Sequence, residues 1–271
     1  MADRCTLLVN SCDAYEDLWV PFFTILTHRW KELPYPIVLN TESKSFSFPN
    51  LDIRTFQLYD EKDRVPWGAR FIKTLQHIDT EYVLCMLDDF FLLEDVEQAR
   101  IDECMRWMDA DHNIAVFSFW RTRQPNIREN RYPHFEKRPQ NGKYRFNCQA
   151  ALWRRDKLLQ YIRPHESPWE WEIYGSIRSR RYKESFYSAI EGEPYVFVYD
   201  WFAGGAVHRG KWTRGVSGLL NNYNIKIDYS TRGFETDANP IITRVFYKLI
   251  DIVKHPLAFL RRYWNIFLSL R

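Results

Sequence analysis

Glu81-Tyr82-Val83-Leu84-Cys85-Met86-Leu87-Asp88-Asp89-Phe90 is the stretch from which the fold can be read. Tyr82 to Leu87 form an unbroken apolar run, closed by two adjacent acids. Such a run predicts a strand covered on both faces, as in the middle of a parallel sheet. The sequence on either side repeats the theme. Thr6-Leu-Leu-Val-Asn10 and Pro36-Ile-Val-Leu-Asn40 predict two more buried strands, and Leu51-Asp-Ile-Arg-Thr-Phe56 alternates like a half-exposed one. Between them, Leu18, Phe22, Ile25, Leu26 and Trp30 recur at helical spacing over 17–31. Helices are predicted again over 67–78 and 96–109, then strands at Ile114-Ala-Val-Phe-Ser-Phe119 and Tyr195-Val-Phe-Val-Tyr199. Strands alternating with helices predict an α/β fold, a Rossmann-like, mostly parallel sheet flanked by helices. Ligands of such sheets sit beyond the carboxyl ends of the strands, which singles out the residues just after Asn10, Asn40 and Leu87. The stretch 121–146, with Pro125, Pro133, Pro139 and Gly142, predicts a long loop.

Composition narrows the class. Apolar residues make up 45% of the 271, enough for a core in one large domain or two small ones. Aromatic residues reach 17%, which suits flat sugar rings and a plain core equally. The five cysteines (Cys5, Cys12, Cys85, Cys104 and Cys148) are odd in number and never at CxxC spacing. That argues against a structural zinc and a disulfide framework, and predicts reduced thiols in a cytoplasmic setting. The first residues hold no apolar leader, and no run of about 18 apolar residues predicts a spanning helix.

The net charge of +3 is unevenly placed. Residues 241–271 hold six bases (Arg244, Lys248, Lys254, Arg261, Arg262 and Arg271) against Asp251, a net +5, while the other 240 residues hold 32 bases and 34 acids, a net −2. A nucleic-acid binder would carry its basic surface on the folded body, so no nucleic-acid partner is expected. The division predicted is a body, 1–240, and a basic amphipathic helical tail, 241–271. Ile242, Val245, Phe246, Leu249, Ile250 and Val253 form an apolar stripe; Pro256 interrupts it, and Leu257, Leu260, Trp264, Phe267 and Leu268 resume it. Such a tail suits an anionic membrane surface, or packing on the body or a second subunit.

Four groups of residues could carry chemistry. Asp88 and Asp89 end the buried strand, and buried charges need a partner or a metal. Mg²⁺ and Mn²⁺ take carboxylate oxygens and complete their shells with substrate phosphates. A helix cap or solvated turn would use the same acids. In His165-Glu-Ser-Pro-Trp-Glu-Trp-Glu172, Ser167, Pro168 and Glu170 match a capping box. The box gives Glu170 a structural job and leaves Glu172 without one. Glu172 first, then Glu170, are the candidates for a general base, flanked by Trp169 and Trp171; a capped helix with surface acids is the plain alternative. Ala203-Gly-Gly-Ala-Val-His208-Arg209-Gly-Lys211-Trp212 offers a metal-binding His208 and phosphate-binding Arg209 and Lys211, although an isolated histidine commonly has a structural role. Arg64, Trp67 and Arg70 precede the acids and could touch a diphosphate or merely solvate the surface.

With these residues in view, the chain resembles GT-A glycosyltransferases, in particular bacterial enzymes of capsule and lipopolysaccharide synthesis. Leu8-Val-Asn-Ser-Cys-Asp13, Tyr35-Pro-Ile-Val-Leu-Asn-Thr-Glu42, Tyr82 through Phe91, and Gln149-Ala-Ala-Leu-Trp153 leading to Glu166–Glu172 carry the likeness, over roughly 5–215. The resemblance implies a catalytic domain over 1–240 that moves a sugar from a nucleotide-sugar donor, UDP-linked by preference, to a hydroxyl of a polyprenyl-linked glycan acceptor. It implies a nucleotide near Asn10, Asp13, Glu42, Arg70, Asp88 and Lys211. Mn²⁺ or Mg²⁺ would sit on Asp89, Asp88 and His208, with Glu172 or Glu170 as base and inversion at the sugar. Gln149, Trp153, Trp169 and Trp171 would face the acceptor, and the chain would sit in the cytoplasm, peripheral on the inner membrane face. The acids here are adjacent where the family's motif spaces them by one residue, so a single acid could be the ligand. Three rivals remain: a nucleotidyltransferase, a non-catalytic carbohydrate-binding or scaffold protein, and a hydrolase with paired carboxylates. The first would carry a glycine-rich basic loop after its first strand, where this chain has Asn10-Ser-Cys-Asp13.

Overall fold

Every side chain of Cys5–Asn10 (β1) is buried, as expected of a largely apolar strand in the middle of a sheet. The structure, a computed structural model, describes residues 2–60, 63, 65–121, 125–199, 205–235, 264 and 267. After β1 come α1 (Trp19–Arg29), β2 (Ile37–Asn40), β3 (Ile53–Thr55), α2 (Trp67–Gln76), β4 (Tyr82–Leu87), α3 (Gln98–Ala110) and β5 (Ile114–Arg121). The second half runs β6 (Phe135–Lys137), β7 (Ala151–Arg154), α4 (Arg155–Tyr161), α5 (Pro168–Glu170), a π-helical turn Trp171–Gly175, α6 (Ser176–Ser179) and β8 (Ser185–Ala189). A hairpin of β9 (Val207–His208) and β10 (Lys211–Trp212) and then α7 (Val216–Asn222) complete the order.

Eight strands form one sheet in the order β3-β2-β1-β4-β7-β5-β8-β6. The first four are all parallel. β7 then inserts antiparallel between β4 and β5, β5 and β8 pair in parallel, and β6 closes the far edge antiparallel. The architecture is therefore the α/β, Rossmann-like, mostly parallel sheet expected from the sequence. Leu7 and Val9 face one way with Phe22 and Leu26 of α1 and Met105 of α3. Leu8 and Val83 face the other way with Phe71 of α2 and Tyr161 of α4. Each such apolar side chain taken out of water contributes roughly 1.5–3 kcal/mol, so the two layers fix β1 and β4 firmly.

Two expectations are corrected. The stretch 121–146 contains β6, an edge strand of only three residues whose ladder to β8 no local pattern announces. Tyr195–Tyr199 is not a strand: it is held by an isolated bridge from Tyr199 to Leu92 and by Leu93 N–H on the Val198 carbonyl (2.7 Å). The tail, 241–271, lies outside the described residues except for exposed Trp264 and Phe267. Among the described residues no helix is long and apolar enough to cross a membrane.

Candidate active site

β1 and β4 run in register, Asn10 beside Leu87, so the loops leaving them emerge side by side. This sets Ser11 against Asp88. The Ser11 hydroxyl donates to Asp88 Oδ2 and accepts from Trp19 Nε1 at 2.6 Å. Burial pushes the Asp88 carboxyl up from its ordinary 3.8 to about 7, with the Ser11 hydrogen bond opposing the rise. Asp89 is 8% exposed, and its Oδ1 has no hydrogen-bond partner. Burial and then the adjacent Asp88 hold its carboxyl well above the usual range. Gly205 comes so close that a Cβ there would meet Asp89 Oδ2 at 2.5 Å, and its φ of +83° is one that glycine adopts freely. Ala206 N–H donates to the Asp89 carbonyl at 2.8 Å, tying the stretch before β9 to the acids.

The β1 and β2 loops are bound to each other. Asn40 Nδ2 donates to Asn10 Oδ1 (2.8 Å), and Thr74 of α2 donates to Asn40 Oδ1 (2.8 Å). Asp13 accepts from the Glu42 and Ser43 amides (3.0 Å each) and the Ser43 hydroxyl (2.6 Å), while Glu42 accepts from Asp13 N–H (3.1 Å). Arg70, buried, donates to the Ser11 carbonyl (3.3 Å) and stands 3.6 Å from Glu42. Beside them an open cleft of about 600 Å³ is lined by Asp13, Glu42, Lys44, Asp60 and Asp63.

On the other side, Ser167 and Glu170 form the capping box: the Glu170 carboxylate accepts from Ser167 N–H and Oγ, each at 2.9 Å. That occupation separates it from Glu172, on the π turn; such turns recur at functional sites. Glu172 Oε1 accepts from Cys148 N–H at 2.8 Å, and burial raises the Glu172 carboxyl while that bond lowers it. A small cavity lined by Asn10, Leu87, Cys148, Gln149 and Trp171 marks where the turn 147–149 meets the ends of β1 and β4. Gln149 accepts from the Tyr199 hydroxyl (3.0 Å), and Tyr199 stacks on Phe90 (4.2 Å, 8°) next to the acids.

Other sequence-predicted residues have different surroundings from those expected. Trp153 and Trp171 border that small cavity from the core side, 1% and 3% exposed and packed with Phe146, so neither presents an open flat face; Trp169, at 74%, does. His208 Nδ1 is paired with Glu235 (2.5 Å) across the hairpin end, opposite exposed Lys211. Among the described residues no three His, Cys, Asp or Glu side chains converge on a metal position, so His208 does not join Asp88 and Asp89 in one ligand set. Arg209, at φ +52°, serves the hairpin turn, and Arg64 lies outside the described residues. Arg232 had no signal in the sequence. It donates to Asp17 (Nε to Oδ2, 2.6 Å) and the Ala14 carbonyl (2.7 Å), lies over Tyr15, and lowers the Asp88 carboxyl electrostatically. Only the fold brings residue 232 back across the loop after β1.

No family model and no curated protein matches the chain. Solved structures do. The 1–349 portion of S. aureus TarS aligns at 9% identity over 71% of this chain and 59% of its own, with a TM-score of 0.44. The mannosyltransferase PcManGT from Pyrobaculum calidifontis, in complex with GDP-Man and Mn²⁺, aligns at 12% identity over 98% of this chain and 73% of its own, with a TM-score of 0.44. A cytidylyltransferase from Leptospira borgpetersenii aligns at 10% over 66% and 74%, with a TM-score of 0.40. Glycosyltransferases are thus among the structures this fold resembles, and the likeness, at this distance, concerns the course of the chain alone.

Proposed function

We propose that the chain is a glycosyltransferase that takes a sugar from a nucleotide-sugar donor and passes it to a glycan hydroxyl. The observation that carries this is the pair Asp88–Asp89: two adjacent buried carboxylates at the end of a central parallel strand, one oxygen unpartnered. Two adjacent buried acids are costly even with Arg232 favouring the charged form of Asp88, and the cost is relieved by a divalent ion. The residues fit Mn²⁺ or Mg²⁺, since such ions take one or two carboxylates and complete their shell with water and phosphate oxygens. Asp89 would hold the ion and Asp88 would support it; the ion supplies neutralisation of the leaving diphosphate.

The protein's own groups do the rest. Asp13 and Glu42 border the cleft for the nucleoside, with Asn10 and Arg70 tied to their loops, and Lys211 would bind the diphosphate. Glu172 accepts the proton of the acceptor hydroxyl as the new oxygen–carbon bond forms and the bond from the anomeric carbon to the diphosphate oxygen breaks. Gln149 and exposed Trp169 face the acceptor. A separate base corresponds to inversion. The tail 241–271 would hold the enzyme on a membrane surface carrying a polyprenyl-linked acceptor, raising its effective concentration.

The test is release of free nucleotide from a panel of nucleotide sugars with Mn²⁺ or Mg²⁺, comparing wild type with Asp89→Ala. Slow release from one donor, lost with EDTA and in the variant, supports the reading. Pyrophosphate release from a nucleoside triphosphate and a sugar phosphate would replace it with nucleotidyl transfer. Absence of turnover and binding with every donor would overturn it in favour of a non-catalytic protein.

A further inference from the structure

The Glu172 carboxyl is aimed by a neighbouring segment. Its hydrogen-bond partner, Cys148 N–H, belongs to the turn 147–149, so the bond exists only while that turn and the π turn Trp171–Gly175 keep their relation. Two residues just before the turn set that relation. Phe146 wedges against the π turn: its ring centroid is 4.7 Å from that of Trp171, and a Cβ on Gly175 would lie 2.7 Å from Phe146 Cζ and 2.9 Å from Cε2. Gly175 has an ordinary helical φ of −61°, so its side chain is excluded by the ring and not by backbone conformation. Arg145, 3% exposed, grips the other end of the same helical run. It donates to the Ser179 carbonyl (2.7 Å) and hydroxyl (2.9 Å) and to the Glu184 carbonyl (3.2 Å), with its guanidinium 4.0 Å above the Phe186 ring. A cation on the last carbonyls of a helix is favoured by the helix dipole. A planar guanidinium holds two carbonyls in a fixed geometry that a freely rotating ammonium does not impose.

We infer that Arg145 and Phe146 are positioning residues that keep the Cys148 amide on one oxygen of Glu172. The consequence for sugar transfer rests on Glu172 acting as the base; the positioning itself does not. The Cys148 thiol is the titratable group that meets the Glu172 carboxyl from across the turn, and Cys85 stands behind it.

The device is tested on the full chain by following the Glu172 carboxyl carbon and the Cys148 amide by NMR through a pH titration, both assigned with Glu172→Gln. In wild type the amide should follow the carboxyl with one midpoint. Gly175→Ala displaces the ring and breaks the bond. The Glu172 midpoint should then rise by about one pH unit, the equivalent of a lost charge-assisted hydrogen bond, and the amide should cease to follow. Phe146→Leu combined with Gly175→Ala makes room for the methyl and should restore wild-type behaviour. Arg145→Lys, which keeps the charge and loses the fork, should move the midpoint in the same direction, and it carries the test if Gly175→Ala does not fold. A folded Gly175→Ala or Arg145→Lys protein with an unmoved Glu172 titration overturns the proposal. Full sugar transfer by Glu172→Gln, with the titration still moved by Gly175→Ala, would remove Glu172 as the base and leave the positioning standing.

Discussion

Glu166 and Asp89 are both buried carboxylates, and they are buried in opposite ways. Glu166, 1% exposed, is gripped by Arg178 through both oxygens at 2.6 Å and accepts from Arg163 N–H at 3.0 Å. Its own carbonyl receives Gly68 N–H of α2 at 2.9 Å, where any Cβ would strike the Arg163 carbonyl. Both oxygens of that carboxylate are answered by the protein. Asp89 has a second acid beside it, an unpartnered oxygen and a backbone pressed close at Gly205. A charge satisfied within the protein marks architecture. A charge left unsatisfied at the end of a parallel strand marks a place for something from outside.

The contrast can be broken most forcefully at Arg178. Arg178→Met would strand Glu166 in the core and should lower unfolding free energy by about 3–5 kcal/mol in a urea titration; a loss below ~1 kcal/mol would mean that the pair is not closed off from water. The next effect is one of pH. Because burial raises Asp88 from 3.8 to about 7, the folded chain holds that proton more tightly than the unfolded one. The stabilisation is complete below about pH 4 and is lost as the pH rises through 7. In EDTA, wild type should therefore lose stability relative to Asp88→Asn between pH 4 and 7. A difference in melting temperature that stays flat over that range would show Asp88 to be unshifted. The smallest effect sharpens the comparison. Asp89→Asn in EDTA at neutral pH should leave stability unchanged or raise it by about 1 kcal/mol, opposite in sign to Arg178→Met, and should remove any thermal stabilisation by Mn²⁺. Retained Mn²⁺ stabilisation in that variant would place the ion elsewhere.

The carboxyl end of β4 was legible because a run of buried apolar residues ending in acids is a local signal. The capping box at Ser167 and Glu170 was legible for the same reason, and it separated the structural glutamate from its neighbour before any fold was known. Trp153 and Trp171 misled because indole suits a sugar-facing surface and a core alike, and only the neighbours decide. The Cys148 bond to Glu172 and the return of Arg232 across the loop after β1 join residues 24 and 215 or more positions apart, and no window of sequence contains both partners.

The sequence by itself determined the α/β class, the parallel set β1, β2 and β4, and the acids that terminate it, because side-chain periodicity and caps act within a few residues. The tertiary structure alone decided that β7 inserts antiparallel beside β4, that His208 turns to Glu235, and that Glu172 is aimed from another segment. Those outcomes depend on strand order and packing between distant elements, where the alternatives differ in three-dimensional fit rather than in local preference.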